Sequence, residues 1–226
     1  MSTTKLLNLA CGVCGHEKMF RVLSGTSAFG SPDLDLRPPE LQRSTMHTWV
    51  MTCPVCGYAA GNLDTKPAFS RDFLETESYR TCDGLPFNSP LAESFYRWHL
   101  CAAKTGNAHA AYFALLCAAW CCDDDGSDDL AVTLRRRSAD FLESFLPDEP
   151  AGEQKEMHQL IHADLLRRTG QFERLLETYR PSQFSAYEMH PLVIAFERRL
   201  AREKDTRVHT VDELEKAIEG TLAVPQ

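Results

Sequence analysis

Four cysteines in two matched pairs carry the clearest chemistry in this sequence: Cys11-Gly12-Val13-Cys14-Gly15 and Cys53-Pro54-Val55-Cys56-Gly57. Each pair sets two thiols close together with Gly directly after. That pattern suits a tight turn that points both sulfurs at one ion while backbone N–H groups stay free to bond them. Two such turns make a four-sulfur tetrahedral site, and a site closed by four protein ligands holds a fold rather than a substrate. One zinc ion is the expected occupant, and iron is the rival, since the same four thiolates accept it. A thioredoxin-like role would call for a single Cys-x-x-Cys at a strand-to-helix junction, whereas both pairs here fall at turns. His16, just after the first pair, reads as a surface residue or as a donor behind the ligands.

Asp33, Asp35 and Arg37 alternate along a segment expected to be extended, so two carboxylates and a guanidinium fall on one side of the backbone. They are the candidates for a ligand or partner pocket. Alternatively, Arg37 pins this long loop to the N-terminal domain by a salt bridge. Neither reading makes them catalytic, and no catalytic residue is assigned. His158 and His162 lie one helical turn apart, but Gln159 stands where a zinc protease carries its general-base Glu, so they read as partly exposed polar residues. His99 and Cys101 project to different faces of their helix. Cys117 and Cys121 share a face with Ala114 and Ala118 and read as small core residues. Arg135-Arg136-Arg137, downstream of Asp123-Asp124-Asp125 and Asp128-Asp129, reads as a solvated helix whose charges suit its dipole and i,i+4 pairing. There is no Gly-rich phosphate loop, Ser nucleophile elbow or aromatic-studded basic stripe in the sequence.

The elements that must position these groups follow from the pattern around them. Lys5–Ala10 and Met19–Leu23 read as two strands with the first Cys pair at their hairpin tip. Ser24–Ser44 is a Gly/Ser/Pro/Asp loop, and Thr45–Thr52 resumes a β-like composition that delivers the second pair. Strand, knuckle, strand, long loop, strand, knuckle is the order of a zinc ribbon, assigned to residues 1–64. From residue 65 to 226 the punctuation is helical. Helices are predicted over 89–104, 108–122, 128–146, 152–168, 171–180, 191–204 and 211–219. Ser89 caps the first of them with Pro90 at its first position, and Gly106, Gly126 and Gly170 stand where helix ends need positive φ. The stretch around Gly170, Ala163 to Leu176, resembles the turn between the two helices of a tetratricopeptide repeat, with Ala102 to Gly106 a fainter echo. The expected class is therefore α+β: a small N-terminal zinc-ribbon β domain followed by an all-α antiparallel, tetratricopeptide-like helical array.

Composition narrows the function. The chain has 226 residues, 43% hydrophobic and 25% charged, ordinary for a globular protein with a real core. A net charge of −8 disfavours nucleic acid, whose binding draws on clustered Lys and Arg. The N-terminus has no long apolar signal region, and no apolar run is long enough to span a bilayer, so a cytoplasmic location away from membranes is expected. In such a reducing compartment paired cysteines serve metals more often than bridges.

The two Cys pairs, Asp33-Leu34-Asp35-Leu36-Arg37-Pro38 between them, the Cys-Pro-x-Cys-Gly-Tyr-Ala-Ala form of the second knuckle and Ala119-Trp120 in an Ala-rich helix together resemble a bacterial family of uncharacterised proteins. The resemblance implies a metal-binding ribbon joined to tetratricopeptide-like helices, without an assigned activity. The function expected is a non-enzymatic scaffold or adaptor that recognises a protein or peptide through its helices. The alternative is a small-ligand sensor or enzyme with a pocket between ribbon and helices, using Asp33, Asp35 and Arg37 with Trp49, Trp98 or Trp120. A nucleic-acid-binding ribbon is disfavoured by the scarcity of Lys and Arg in residues 1–62.

Overall fold

The structure, a computed structural model, describes residues 1–222, with side chains as far as residue 219. It is α+β, with two small two-stranded sheets and eight α-helices among the described residues. Strand β1 (Thr3–Ala10) pairs antiparallel with β2 (Glu17–Gly25), Leu7 opposite Phe20 and Ala10 opposite Glu17. The much shorter β3 (Met51–Thr52) pairs with β4 (Ala59–Ala60). A two-stranded hairpin is marginal on its own. The first is supported on one face, where Leu9, Phe20 and Val22 pack on a core of Cys11, Met51, Cys53, Tyr58, Leu63, Leu74, Tyr79 and Cys101. Its other face leaves Leu6 57% and Met19 51% exposed.

The β-like stretch expected over Thr45–Thr52 is largely something else. Residues Arg43–Thr48 form a 3-10 helix, and only Met51–Thr52 is strand. Short hydroxyl side chains explain the change, since they can bond locally to the backbone in place of a ladder. The Thr45 hydroxyl donates to the Gln42 carbonyl and the Thr48 hydroxyl to the Thr45 carbonyl, each at 2.7 Å. The Trp49 indole N–H then donates to Thr45 Oγ1 at 3.0 Å.

The helices are α1 (Glu77–Thr81), α2 (Pro90–Lys104), α3 (Ala108–Asp124), α4 (Asp128–Phe145), α5 (Glu153–Arg168), α6 (Phe172–Thr178), α7 (Met189–Arg202) and α8 (Val211–Leu222). Ser89 caps α2 by accepting from the Ala92 N–H at 3.3 Å, with Pro90 at the first helical position. Gly106, Gly126 and Gly170 end α2, α3 and α5 in the same way, at φ of 73°, 74° and 74°. In each, the N–H after the glycine reaches back to the carbonyl five residues earlier: Asn107 to Ala102 at 3.0 Å, Ser127 to Cys122 at 2.9 Å and Gln171 to Leu166 at 2.8 Å. The glycine N–H also reaches the carbonyl three residues back, at Ala103, Asp123 and Arg167, and this double closure satisfies carbonyls that a helix end would otherwise strand. None of the described helices is long and apolar enough to cross a membrane.

Grouped by contact, the chain forms two compact units: Met1–Ser27 with Leu41–Ser138, and Ala28–Glu40 with the chain from Ala139 on. The boundary thus falls inside α4, and the helices expected as one domain over 65–226 are shared between the units. In the first unit, Arg135 is only 2% exposed and its Nη1 donates to Asp123 Oδ1 at 2.8 Å. The arginine run is therefore not simply a solvated face. Arg136 is exposed, and Arg137 donates to the Tyr96 hydroxyl.

The second unit is organised by a buried ion network. Arg167, fully buried on α5, donates through Nε to Glu197 Oε2 and through Nη2 to Asp164 Oδ1, both at 2.6 Å. Its Nη1 binds the Asp205 and Arg207 carbonyls at 3.0 and 2.7 Å. The second oxygens, Asp164 Oδ2 and Glu197 Oε1, are buried without a hydrogen-bond partner. Burial is the main cause that pushes the Glu197 carboxyl up to about 8, with the Asp164 charge adding to it against Arg167. One guanidinium thus serves two enclosed carboxyl groups, and burial favours the protonated form of Glu197.

The 28–40 segment belongs to this second unit. It is tied to the approach to α8, with Leu34 N–H donating to the His209 carbonyl at 2.9 Å and Val211 N–H to the Pro32 carbonyl at 3.0 Å. Leu34 packs with Phe196, Leu200 and Leu214.

Candidate metal centre

Both Cys pairs lie in the first unit, and the hairpins built around them are near copies. Cys11 N–H donates to the His16 carbonyl at 2.9 Å and Gly15 N–H to the Cys11 carbonyl at 2.8 Å. Cys53 N–H donates to the Tyr58 carbonyl at 2.8 Å and Gly57 N–H to the Cys53 carbonyl at 2.9 Å. Gly15 and Gly57 hold φ of 73° and 74°, the left-handed turn that a side chain disfavours. The two turns bring all four sulfurs within 4.8 Å of one another. Cys11 Sγ lies 3.6 Å from Cys56 Sγ, and Cys14 Sγ lies 3.6 Å from Cys53 Sγ. A tetrahedron of zinc–sulfur bonds of about 2.3 Å has edges of about 3.8 Å, so the donor set and its spacing fit a metal ion.

The backbone is arranged to receive thiolates. Burial raises both Cys11 and Cys53, opposed by the N–H groups of Cys14 and Val13 at Cys11 and of Cys56 and Val55 at Cys53. The Cys53 thiol ends below its ordinary value, while Cys11 stays above it. Burial also holds Cys56 up. A bound cation reverses such a preference outright, since a coordinating thiol is deprotonated.

What surrounds the sulfurs is only partly legible in sequence. Gly12 donates its N–H to the Leu63 carbonyl at 2.9 Å, and a Cβ there would meet the Thr65 carbonyl oxygen at 2.4 Å. The glycine is required by close approach of the 63–66 backbone rather than by its own φ. Tyr79, on α1, donates its hydroxyl to the Gly57 carbonyl at 2.7 Å and so braces the second knuckle. A row of rings leads to it: Tyr58–Phe69, Phe69–Phe73 and Phe73–Tyr79, at centroid separations of 6.0, 5.0 and 5.4 Å. Residues 67–80 carry Phe69, Phe73 and Tyr79 in sequence, but nothing in that content specifies a brace on a turn 22 residues upstream.

Asp33, Asp35 and Arg37 are buried in the second unit, and their segment is not extended. Leu36 N–H donates to the Asp33 carbonyl at 2.9 Å and Asp33 N–H to the Arg37 carbonyl at 3.0 Å, closing a turn with Leu36 at φ 65°. Asp35 accepts from the Arg37 N–H at 3.2 Å and from Arg168 Nη1 at 3.3 Å. Asp35 thus works inside its own unit, and the alternation read as a shared side belongs to a turn. Trp49, Trp98 and Trp120 all belong to the first unit.

The three histidines singled out on the helices each hold a hydrogen bond inside the fold. His158 and His162 are buried rather than partly exposed, His158 Nδ1 bonding Glu149 at 2.8 Å and His162 Nδ1 the Tyr179 hydroxyl at 2.6 Å. Burial, with help from Arg174, holds His162 down at about 4, so it stays neutral. His99 bonds the Ala111 carbonyl at 2.8 Å, while Cys101 faces the Tyr79 hydroxyl at 3.6 Å. Cys117 and Cys121 are buried in α3, and the His16 side chain is exposed.

Comparison with protein-family models, with curated proteins and with solved structures gave no match. What fold and site define together is an α+β protein in which four cysteines lie close enough to hold one metal ion.

Proposed function

We propose that this protein is a metal-stabilised scaffold: one structural zinc ion holds the N-terminal hairpins in place, and the tetratricopeptide-like helices recognise a protein or peptide partner. The observation that carries the metal half is the convergence of Cys11, Cys14, Cys53 and Cys56 within 4.8 Å on two near-identical turns. Four thiolates leave no open coordination position, which favours a structural over a catalytic ion. The repeated Gly-terminated helix junctions and the net charge of −8 support a partner with basic or apolar anchors. The family resemblance of the second knuckle and of the Asp33–Arg37 segment supports the metal half, since it implies a metal-binding ribbon joined to helices.

Elemental mass spectrometry of the purified protein tests the metal half. One zinc per chain, lost in Cys53→Ser together with protease resistance of the N-terminal hairpins, is the expected result. Iron in place of zinc, or a folded protein without metal, would overturn it. Affinity capture with zinc-loaded protein, followed by a binding measurement on the purified candidate, tests the partner half.

A second reading is favoured by a cleft of about 430 Å³ in the first unit, walled by Phe69, Trp98 and Ala110 with Lys66 and Asn107 at its polar side. It suits a small ligand better than the Asp33, Asp35 and Arg37 cluster does, because Asp35 already serves Arg168. Saturable quenching of tryptophan fluorescence by a small aromatic anion, abolished in Ala110→Trp, would favour the sensor over the scaffold.

A further inference from the structure

We propose that Cys56 is a modification site: hydrogen peroxide oxidises its sulfur, Cys11 captures it in a disulfide that joins the two knuckles, and the metal is released. This rests on the metal reading above. Access distinguishes Cys56 from its neighbours. Cys11 and Cys53 are 3% and 1% exposed, whereas Cys56 is half-buried and forms part of the wall of a cleft of about 230 Å³ with Gly57, Glu75, Arg80 and Arg97. Cys14, the other half-buried sulfur, is not part of that wall. Peroxide is uncharged and little larger than water, so the cleft admits it.

Proximity selects the second sulfur. The 3.6 Å contacts, Cys56 to Cys11 and Cys14 to Cys53, each cross from one knuckle to the other. In the first step the Cys56 thiolate attacks one peroxide oxygen, the O–O bond breaks, and hydroxide leaves a sulfenic acid behind. In the second the Cys11 thiolate attacks the Cys56 sulfur, the S–S bond forms, and the S–OH bond breaks with loss of a second hydroxide. Two thiolates give up two electrons, peroxide takes them, and the two hydroxides are protonated to water. With two donors gone, Cys14 and Cys53 hold the ion weakly, and a second peroxide converts them by the same two steps. The remaining cysteines, Cys82, Cys101, Cys117, Cys121 and Cys122, are buried and serve as internal controls.

The test starts with zinc content by elemental mass spectrometry, then adds hydrogen peroxide in the presence of a chromogenic zinc chelator. Aliquots are trapped with dimedone and mapped by non-reducing peptide mass spectrometry. The expected course is a Cys56 adduct first, then Cys11–Cys56 and Cys14–Cys53 disulfides in step with loss of the zinc, with the five controls still reduced. Zinc retained while a reference thiol peptide is consumed overturns the proposal and leaves the metal reading standing. So does a Cys14 adduct that precedes Cys56, or disulfides confined to Cys11–Cys14 and Cys53–Cys56. A folded protein that purifies without metal overturns both.

Discussion

Two glycines that look alike in sequence do different work, and a methyl group separates them. At Gly12 an added Cβ would strike the Thr65 carbonyl oxygen at 2.4 Å, so backbone must move beside a metal ligand. Gly12→Ala is expected to cost about 2–4 kcal/mol and to weaken metal binding, read by thermal unfolding with and without a competing chelator. At Gly170 φ is +74° and a Cβ would meet nothing within 4 Å, so only the left-handed backbone is penalised. Gly170→Ala should cost about 1 kcal/mol and lower Tm by a few degrees without touching zinc content. Glu197 makes a prediction about pH. Its carboxyl is raised from 4.5 to about 8 in the fold, chiefly by burial, so the folded state binds a proton that the unfolded chain releases. That contribution to stability is complete below about pH 4.5 and is lost as pH rises through about 8. Glu197→Gln, which keeps an acceptor for Arg167 and a donor toward Asp164, should flatten this part of a urea-unfolding pH series; an unchanged slope would assign the dependence elsewhere.

At the scale of elements, what could be read in sequence is what local chemistry decides. Ser89 with Pro90, and the three glycines that end α2, α3 and α5, placed those helix limits because caps and positive φ act within one turn of chain. The two Cys-x-x-Cys-Gly turns were legible for the same reason, since each turn's hydrogen bonds close inside six residues. What residue composition leaves open was not legible, whether the deciding contact is local or distant. Thr45 to Thr48 has strand-like composition, yet its hydroxyls bond back to the backbone while Met46 is buried. Arg135 sits in a run of three identical residues, and only the fold selects it to meet Asp123 twelve positions earlier. Asp33, Asp35 and Arg37 alternate in sequence but bend through a turn around Leu36. Thr45→Val removes both the local acceptor for Trp49 and a donor to Gln42, and should shift the tryptophan emission of the folded protein and cost about 1–2 kcal/mol.

For the whole molecule, the core around the sulfurs reaches beyond residue 64. Leu74, Tyr79 and Cys101 are buried with Cys11 and Cys53 in one cluster, so removing the ion should loosen more than the hairpins. Hydrogen exchange after chelation is expected to lose protection in β1, β2, α1 and the Trp98–Cys101 turn of α2; loss confined to residues 1–64 would show that the ribbon unfolds alone. The partition of the chain has a further consequence, for dissection. Residues 28–40, lying between the two Cys pairs, pack in the second unit, while the chain on either side of them packs in the first. Neither unit is one continuous stretch of sequence. A cut at 64 or at 138 therefore strips the C-terminal fragment of Leu34 and the Pro32–Val211 and Leu34–His209 hydrogen bonds, and leaves the N-terminal fragment carrying Leu34 without the Phe196, Leu200 and Leu214 that cover it. Fragments made at either point should express poorly apart and recover solubility when produced together, and a split inside 28–40 should be tolerated worst of all.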